Sequence, residues 1–199
     1  MGARMKVNIQ KINGNWDLGY SLDKHVLQST CTGYNQWGYP EFDTTRSEVG
    51  ESLFQLKFRD DYNQVAHLAS QLSNSLAPYF ESASLVVPMV PSKQRPRQPV
   101  IEIARQVAEN LGIRCHEKLL VKTASTPEMK DIDDRDEKVE TLARALTLYD
   151  VLDAGVHDVL IIDDLYDSGS SLEAATRVLR KYDKIGKIYV ATLTRKRNA

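Results

Sequence analysis

Residues 159–162 form an apolar run, Val-Leu-Ile-Ile, that ends in two adjacent carboxylates and leaves few folds open. A run without polar alternation is typical of a strand that is buried on both faces, as in a parallel sheet. Asp163 and Asp164 follow the run, and a stretch rich in serine and glycine at residues 167–171 leads into a helical pattern. A buried strand joined by a short loop to a helix is the repeating unit of parallel α/β sheets.

The chain beyond residue 50 repeats this alternation of helical and strand patterns. Apolar residues at helical spacing predict helices, and short apolar runs predict strands. The predicted helices lie within residues 65–76, 100–111, 139–143 and 172–179, and the predicted strands within residues 85–87, 113–121, 146–149 and 188–193. This order predicts an α/β fold with a parallel central sheet flanked by helices.

The first 50 residues have a different character, since they are polar, aromatic and rich in turn-forming residues. Apolar and polar residues alternate on both sides of Asn13-Gly14, a pair that predicts a type I′ turn. We therefore expect an N-terminal hairpin or hood region (residues 1–50) that is an antiparallel addition to the main domain (residues 51–199). Residues 31–46 are predicted to form an irregular loop.

Composition narrows the classes of function. The 199 residues are 42% hydrophobic and 27% charged, as in ordinary globular proteins, and the formal net charge is −1. A nearly neutral chain has no global attraction to nucleic acid or to an anionic membrane. No stretch reaches the roughly 18 apolar residues of a membrane span. Cys31 and Cys115 are too few for a disulfide framework, so we expect two free thiols in a cytoplasmic protein, with a single disulfide as the alternative.

The residues after the buried strand suit a phosphorylated sugar. Ser168, Gly169, Ser170 and Ser171 are small enough for backbone N–H groups to approach an anion, and the start of a helix favours phosphate. Two adjacent carboxylates can accept hydrogen bonds from vicinal hydroxyls and can hold Mg2+. An acid pair directly before a phosphate loop therefore predicts a site for ribose 5-phosphate. The alternative is that the two acids only begin a turn.

Residues 159–171 resemble the signature of the type I phosphoribosyltransferase family, which is an apolar strand, two acids, two mostly apolar residues and a Ser/Thr- and Gly-rich loop. Tyr166 departs from it, at a position that is usually aliphatic. The resemblance implies that Asp163 and Asp164 are catalytic residues that contact the ribose hydroxyls of 5-phosphoribosyl-1-pyrophosphate (PRPP) and its Mg2+. It also implies that the loop beginning at Asp167 binds the 5-phosphate. The resemblance also makes Asp167 a candidate for proton transfer.

An upstream stretch resembles the ComF-like subfamily of the same family, in residues 56–58 and 87–91. In that fold the turn formed by the second segment contacts pyrophosphate. The resemblance implies a pyrophosphate-binding set made of Pro88, Met89, Val90, Lys93, Arg95 and Arg97. Arginine forks match phosphate oxygens and lysine adds a point charge. For each cation the alternative is a solvated basic loop. Many ComF-like proteins carry a four-cysteine zinc module, which two cysteines cannot supply.

Residues 122–137 are polar and charged, and they occupy the place of the family's flexible loop. In the family this loop closes over PRPP and excludes water from the reaction. Lys122, Lys130 and Arg135 are the cations that it offers. A disordered acidic connection is the alternative interpretation.

The resemblance implies an enzyme that uses Mg2+ and PRPP, transfers the phosphoribosyl group to an unidentified nitrogenous small molecule, and releases pyrophosphate. A homodimer is common among such proteins. Two alternatives remain, a non-catalytic sensor of PRPP or nucleotides and a ComF-like interaction protein. The four histidines show no metal-ligand spacing. Trp37 and Tyr39 are expected to be core residues of the N-terminal region rather than the lining of an acceptor pocket.

Overall fold

The computed structural model describes residues 4–92, 95–125, 132 and 134–196. Ten strands are described: β1 (Gln10–Lys11), β2 (Leu18–Lys24), β3 (Val26–Tyr34), β4 (Pro40–Arg46), β5 (Leu85–Pro88), β6 (Arg114–Cys115), β7 (Leu120–Lys122), β8 (Leu146–Leu148), β9 (His157–Tyr166) and β10 (Ile185–Arg195). Five α-helices are described: α1 (Glu48–Phe58), α2 (Gln64–Leu76), α3 (Pro99–Leu111), α4 (Arg135–Arg144) and α5 (Ser170–Leu179). A short 3-10 turn, Ala77–Tyr79, follows α2.

The central sheet has six strands in the order β1-β2-β10-β9-β5-β6. Every neighbouring pair from β2 to β6 is parallel, and β1 alone pairs antiparallel. Helices cover both faces, and the fold is therefore α/β with a mostly parallel central sheet, which confirms the predicted fold class. Because β2 pairs parallel with β10, the start of the chain belongs to the main sheet instead of forming an antiparallel addition to it.

The two faces of the sheet build two apolar cores. Leu160 and Ile162 of β9 pack into the core that α1, α2 and α3 cover. Val159 and Ile161 pack into the opposite core, which includes the apolar face of α5. All four side chains are almost fully buried, which explains why the strand carries a continuous apolar run.

The predicted type I′ turn is wrong. That turn requires positive φ at its central residues, and Gly14 is not among the residues with positive φ. β1 and β2 are joined instead by a wider loop whose Trp16 is buried. A Cβ atom on Gly14 or on Gly19 would overlap the Trp16 ring, so these glycines make room for the indole.

The predicted irregular loop is also wrong, because β3 and β4 form a long antiparallel hairpin. Nearly all residues of both strands are exposed or half-buried, so no apolar face alternates with a polar one in the sequence. Trp37 and Tyr39 at its turn are 72% and 69% exposed, which contradicts their prediction as core residues. α1 was likewise not predicted, although Ser47 caps its start by accepting the N–H of Gly50.

Other boundaries differ less. The predicted strand at residues 113–121 divides into β6, which joins the central sheet, and β7, which pairs antiparallel with β8. α3 ends at Gly112, which has φ of 68° as the sequence indicates for a helix end. Among the described residues, no helix combines the length and apolar character that crossing a membrane requires.

Candidate functional site

Two adjoining cavities open where β5 and β9 end. The larger, about 350 Å³, is lined on one side by α1 residues and on the other by the turn after β5. The smaller, about 80 Å³, is lined by the loop between β9 and α5. Asp163, Leu165 and Ser171 line both cavities, so the two form one continuous site at the carboxyl edge of the sheet. Ligands of open α/β sheets bind at this edge.

The two acids lie in the last part of β9 and point to opposite faces, since side chains alternate along a strand. Asp163 lies on the same face of β9 as Val159 and Ile161. Its Oδ1 accepts a hydrogen bond from the N–H of Asp164 at 2.8 Å. Asp164 lies on the face of α1, where its Oδ2 is 2.7 Å from Nζ of Lys57. Within the described part of the chain, Asp164 is therefore paired with a cation and Asp163 is not.

The unpaired acid has an altered protonation equilibrium. Burial raises the pKa of Asp163 to about 8, and the charge of Asp164 contributes in the same direction. The Asp163 carboxyl is thus mostly protonated at neutral pH in the protein without ligand. A neutral carboxyl can donate one hydrogen bond as well as accept, and an approaching cation would favour its ionised form.

The loop after β9 has the geometry of an anion cradle. Gly169 caps α5 with φ of 79°, and a Cβ at this position would lie 2.9 Å from the ring of Tyr166. Oγ of Ser168 is 3.1 Å from Oγ of Ser170. The first N–H groups of a helix have no partner within the helix, so the start of α5 directs donors and the positive end of a dipole into the smaller cavity.

Asp167 and the neighbouring Tyr166 connect this loop to other parts of the chain. Asp167 lines the smaller cavity, and its Oδ2 is 2.7 Å from Nζ of Lys196. The Tyr166 hydroxyl donates to the carbonyl of Asn13 at 3.2 Å, and its ring meets Trp16 edge-on. Tyr166, at a position that is usually aliphatic, therefore connects the loop to the N-terminal segment.

The predicted pyrophosphate residues divide into three groups. Pro88 is the last residue of β5. The next two residues, Met89 and Val90, line the larger cavity together with Arg95. The guanidinium of Arg95 also donates to the carbonyl of Lys57. Arg97 faces elsewhere, because it pairs with Glu102 at 3.0 Å and lies 3.9 Å from the centre of the Tyr62 ring. Lys93 lies outside the described residues.

Of the predicted flexible-loop cations, the two that the structure describes, Lys122 and Arg135, do not line either of the two cavities. Lys122 ends β7, and Arg135 begins α4. Arg135 pairs with Glu173 of α5 at 2.8 Å, so α4 is held against the helix that bears the anion cradle. Lys130 lies outside the described residues.

Sequence reasoning missed three residues that surround Asp164. Lys57 pairs with the carboxylate itself, and Thr194 donates to the Asp164 carbonyl at 3.0 Å. Nδ1 of His25 lies 3.2 Å from the Thr194 hydroxyl. Burial lowers the pKa of His25, and the nearby charges of Arg46 and Lys57 lower it further, so the ring is neutral at pH 7. Lys57 had a signal, since it lies in the stretch at residues 56–58 that resembles the ComF-like subfamily, whereas His25 and Thr194 had none.

The acid pair suits a metal ion that arrives with its own ligands. Among the described residues, no group of three or more His, Cys, Asp or Glu side chains could hold a metal. Asp163 and Asp164 offer carboxylate oxygens, and Mg2+ is commonly held by one or two carboxylates together with substrate phosphates. The donor set therefore fits Mg2+ that is bound to a phosphorylated substrate.

Neither a family model nor a curated protein matches the chain. Similar solved structures include adenine phosphoribosyltransferase from Leishmania tarentolae, which is 9% identical, with 95% of each chain covered and a TM-score of 0.48. The adenine enzyme from Thermoanaerobacter pseudethanolicus is 14% identical, with 77% of each chain covered and a TM-score of 0.48. Xanthine-guanine-hypoxanthine phosphoribosyltransferase from Helicobacter pylori is 17% identical, with 70% of this chain and 77% of that chain covered and a TM-score of 0.43. At these values the likeness says nothing about which reaction this chain performs.

Proposed function

We propose that the protein binds PRPP with Mg2+ and transfers its 5-phosphoribosyl group to a nitrogenous acceptor, releasing pyrophosphate. The observation that carries the proposal is the pair of adjoining cavities that share Asp163. One is a cradle of helix-start N–H groups, and the other contains Lys57, Arg95 and Asp164, while Asp163 lies between the two. An anion site, a hydroxyl-binding site and a basic site in this order match the 5-phosphate, ribose and pyrophosphate of PRPP.

Each part of the substrate then has its own residues. We assign the 5-phosphate to the loop from Asp167 to Ser171, and the ribose hydroxyls to Asp163 and Asp164. We assign the pyrophosphate to the turn that begins at Pro88, with Arg95 as its charged partner. Arg97 does not line the cavity and would have to leave Glu102 to take part.

The reaction breaks the bond between the anomeric carbon and the pyrophosphate oxygen and forms a bond from that carbon to the acceptor nitrogen. Positive charge builds on the ribose ring and negative charge on the leaving pyrophosphate, which the cations of the larger cavity stabilise. Bound Mg2+ would add further positive charge to the leaving group. Asp167, whose carboxylate pairs with Lys196, is our candidate to receive the proton that the nitrogen loses.

Closure around the substrate is also part of the proposal. Lys122, Lys130 and Arg135 belong to the segment that we assign as a lid, which would exclude water from the anomeric carbon. The proposal also includes membership of the ComF-like subfamily and the cytoplasm as the site of action.

Calorimetric titration with PRPP and Mg2+ tests the binding step. We expect saturable binding by the wild-type protein and none by Asp163→Asn combined with Asp164→Asn, because an amide provides fewer acceptors and no charge. Circular dichroism checks that the double variant is folded. Binding that survives the double substitution would remove the basis of the proposal. Pyrophosphate release with a panel of nucleobases and amines then separates an enzyme from a sensor.

A matched pair of glycine substitutions tests the anion cradle. Gly169 and Gly112 both cap a helix with similar positive φ, 79° and 68°, but only Gly169 belongs to the site. Gly112→Ala should lose roughly 1 kcal/mol of unfolding free energy from backbone strain, and Gly169→Ala should lose more, because its Cβ would also lie 2.9 Å from the Tyr166 ring. Only Gly169→Ala should lose affinity for ribose 5-phosphate. Equal affinities in the two variants would place the 5-phosphate elsewhere.

A further inference from the structure

The acid pair of the ligand-free protein already holds a cation from its own chain. Nζ of Lys57 is 2.7 Å from Asp164, and the two side chains are only 24% and 19% exposed. Both residues line the larger cavity, so the ion pair lies inside the proposed substrate site. Charged groups with this little exposure are less screened by salt than a surface pair.

The backbone of Lys57 is fixed while its side chain can be redirected. Lys57 lies in the last turn of α1, and its carbonyl accepts a hydrogen bond from Arg95 on the opposite wall of the cavity. A carbonyl at a helix end needs such an external donor. The lysine ammonium sits on a flexible four-carbon stem with three donors, so it can change partners without movement of the helix.

PRPP would compete with this ion pair and also offer a better partner. Its ribose hydroxyls and Mg2+ need the oxygens of Asp164, and one of these, Oδ2, is already bound by Lys57. Its pyrophosphate carries several negative charges into the cavity that contains the Lys57 ammonium. An ammonium that is displaced from Asp164 would therefore find an anion within the same cavity.

We infer that Lys57 is an exchangeable counter-ion, which neutralises Asp164 in the ligand-free site and transfers to the pyrophosphate when PRPP binds. The inference rests on the proposed function and adds a residue and a sequence of contacts to it. After pyrophosphate leaves, Lys57 returns to Asp164 and competes with the ribosyl product for that carboxylate. Lys57 is thus a substrate-binding residue whose ligand-free contact opposes ribose binding.

Separate titrations with the two halves of the substrate test this exchange. Pyrophosphate and ribose 5-phosphate are each titrated, in one Mg2+ buffer, into wild-type protein, Lys57→Met and Lys57→Arg. We expect Lys57→Met to weaken pyrophosphate binding by roughly 10- to 100-fold, the loss of a charge-assisted hydrogen bond. Ribose 5-phosphate should bind as tightly as before or more tightly, because Asp164 is freed. Lys57→Arg keeps the charge and should recover most of the pyrophosphate affinity.

Lys184→Met is a matched control, since Lys184 pairs with Asp150 at 2.8 Å and has a similar exposure of 26%, outside both cavities. It should alter neither affinity. Lys57→Gln, which retains a polar tip, replaces Lys57→Met if the methionine variant does not fold. Equal weakening of both halves, or no change in either, would overturn the inference alone. If the wild-type protein binds neither half, the proposed function is wrong and the inference falls with it.

Discussion

Asp163 and Asp164 are adjacent in sequence but differ in environment, because strand alternation sends one towards each face of the sheet. Asp164 meets Lys57, whereas Asp163 is half-buried, and its pKa rises from the ordinary value of 3.8 to about 8. Between these pH values the native state binds a proton that the unfolded state has released. The free energy of unfolding therefore falls as pH rises from about 4 to about 8.

Asp163→Asn removes this pH-dependent penalty. We expect the variant to be more stable than wild type at pH 7 to 8, by roughly 1–4 kcal/mol, and the difference to shrink as pH approaches 4. Denaturant unfolding at a series of pH values measures it, and Asp153→Asn, at an exposed carboxylate, is the control. A stability difference that is constant with pH would mean that the Asp163 carboxyl is ionised throughout.

Local sequence was sufficient for the loop residues of the site but not for their partners. The acid pair and the small residues after it stand next to one another, so their place at the carboxyl edge of the sheet could be predicted from adjacent positions. Lys57 is 107 residues from Asp164, and that contact depends on how α1 packs on the sheet. Arg97 illustrates the converse, since it was predicted to bind pyrophosphate but pairs with Glu102 and does not line the larger cavity.

Helices and strands could be predicted from the sequence wherever a buried face required apolar residues at a regular spacing. α2, α3, α5, β5, β9 and β10 each pack apolar side chains into a core, and all were predicted, although β9 and β10 extend beyond the predicted residues 159–162 and 188–193. The β3–β4 hairpin has no buried face, so its pairing left no such pattern. α1 was missed because the change of composition near residue 50 was taken as a boundary, and the helix crosses it.

The β3–β4 hairpin should be removable without loss of the fold. Gln28 pairs with Thr45, so replacing residues 29–44 by Asn-Gly would close the strands with a two-residue turn. We expect the unfolding free energy to change by less than about 0.5 kcal/mol, as for exposed surface residues. In contrast, Leu22→Ala in the buried part of β2 should cost about 2–5 kcal/mol. A shortened protein as unstable as Leu22→Ala would show that the hairpin supports the core.

The whole molecule carries a formal charge of −1, yet its site collects cations from distant parts of the chain. Lys57 comes from α1, Arg95 from the segment before α3, and Lys196 from the end of β10. The parallel sheet brings them together because the carboxyl ends of its strands meet at one edge. Composition alone could not reveal this, since a local excess of charge disappears in the total.

Binding of PRPP should therefore stabilise separate segments at once. With Mg2+ and PRPP, we expect slower hydrogen exchange in the last turn of α1, in residues 89–92 and in residues 167–171, because one ligand would hold all three. Exposed amides of β3 and β4 lie outside both cavities and serve as the internal control. A ligand present at 100 times its dissociation constant would add about 2.7 kcal/mol to global stability. Protection limited to residues 167–171 would indicate a simple phosphate site, in which the ligand does not reach from the α5 start to the Lys57 side of the cavity.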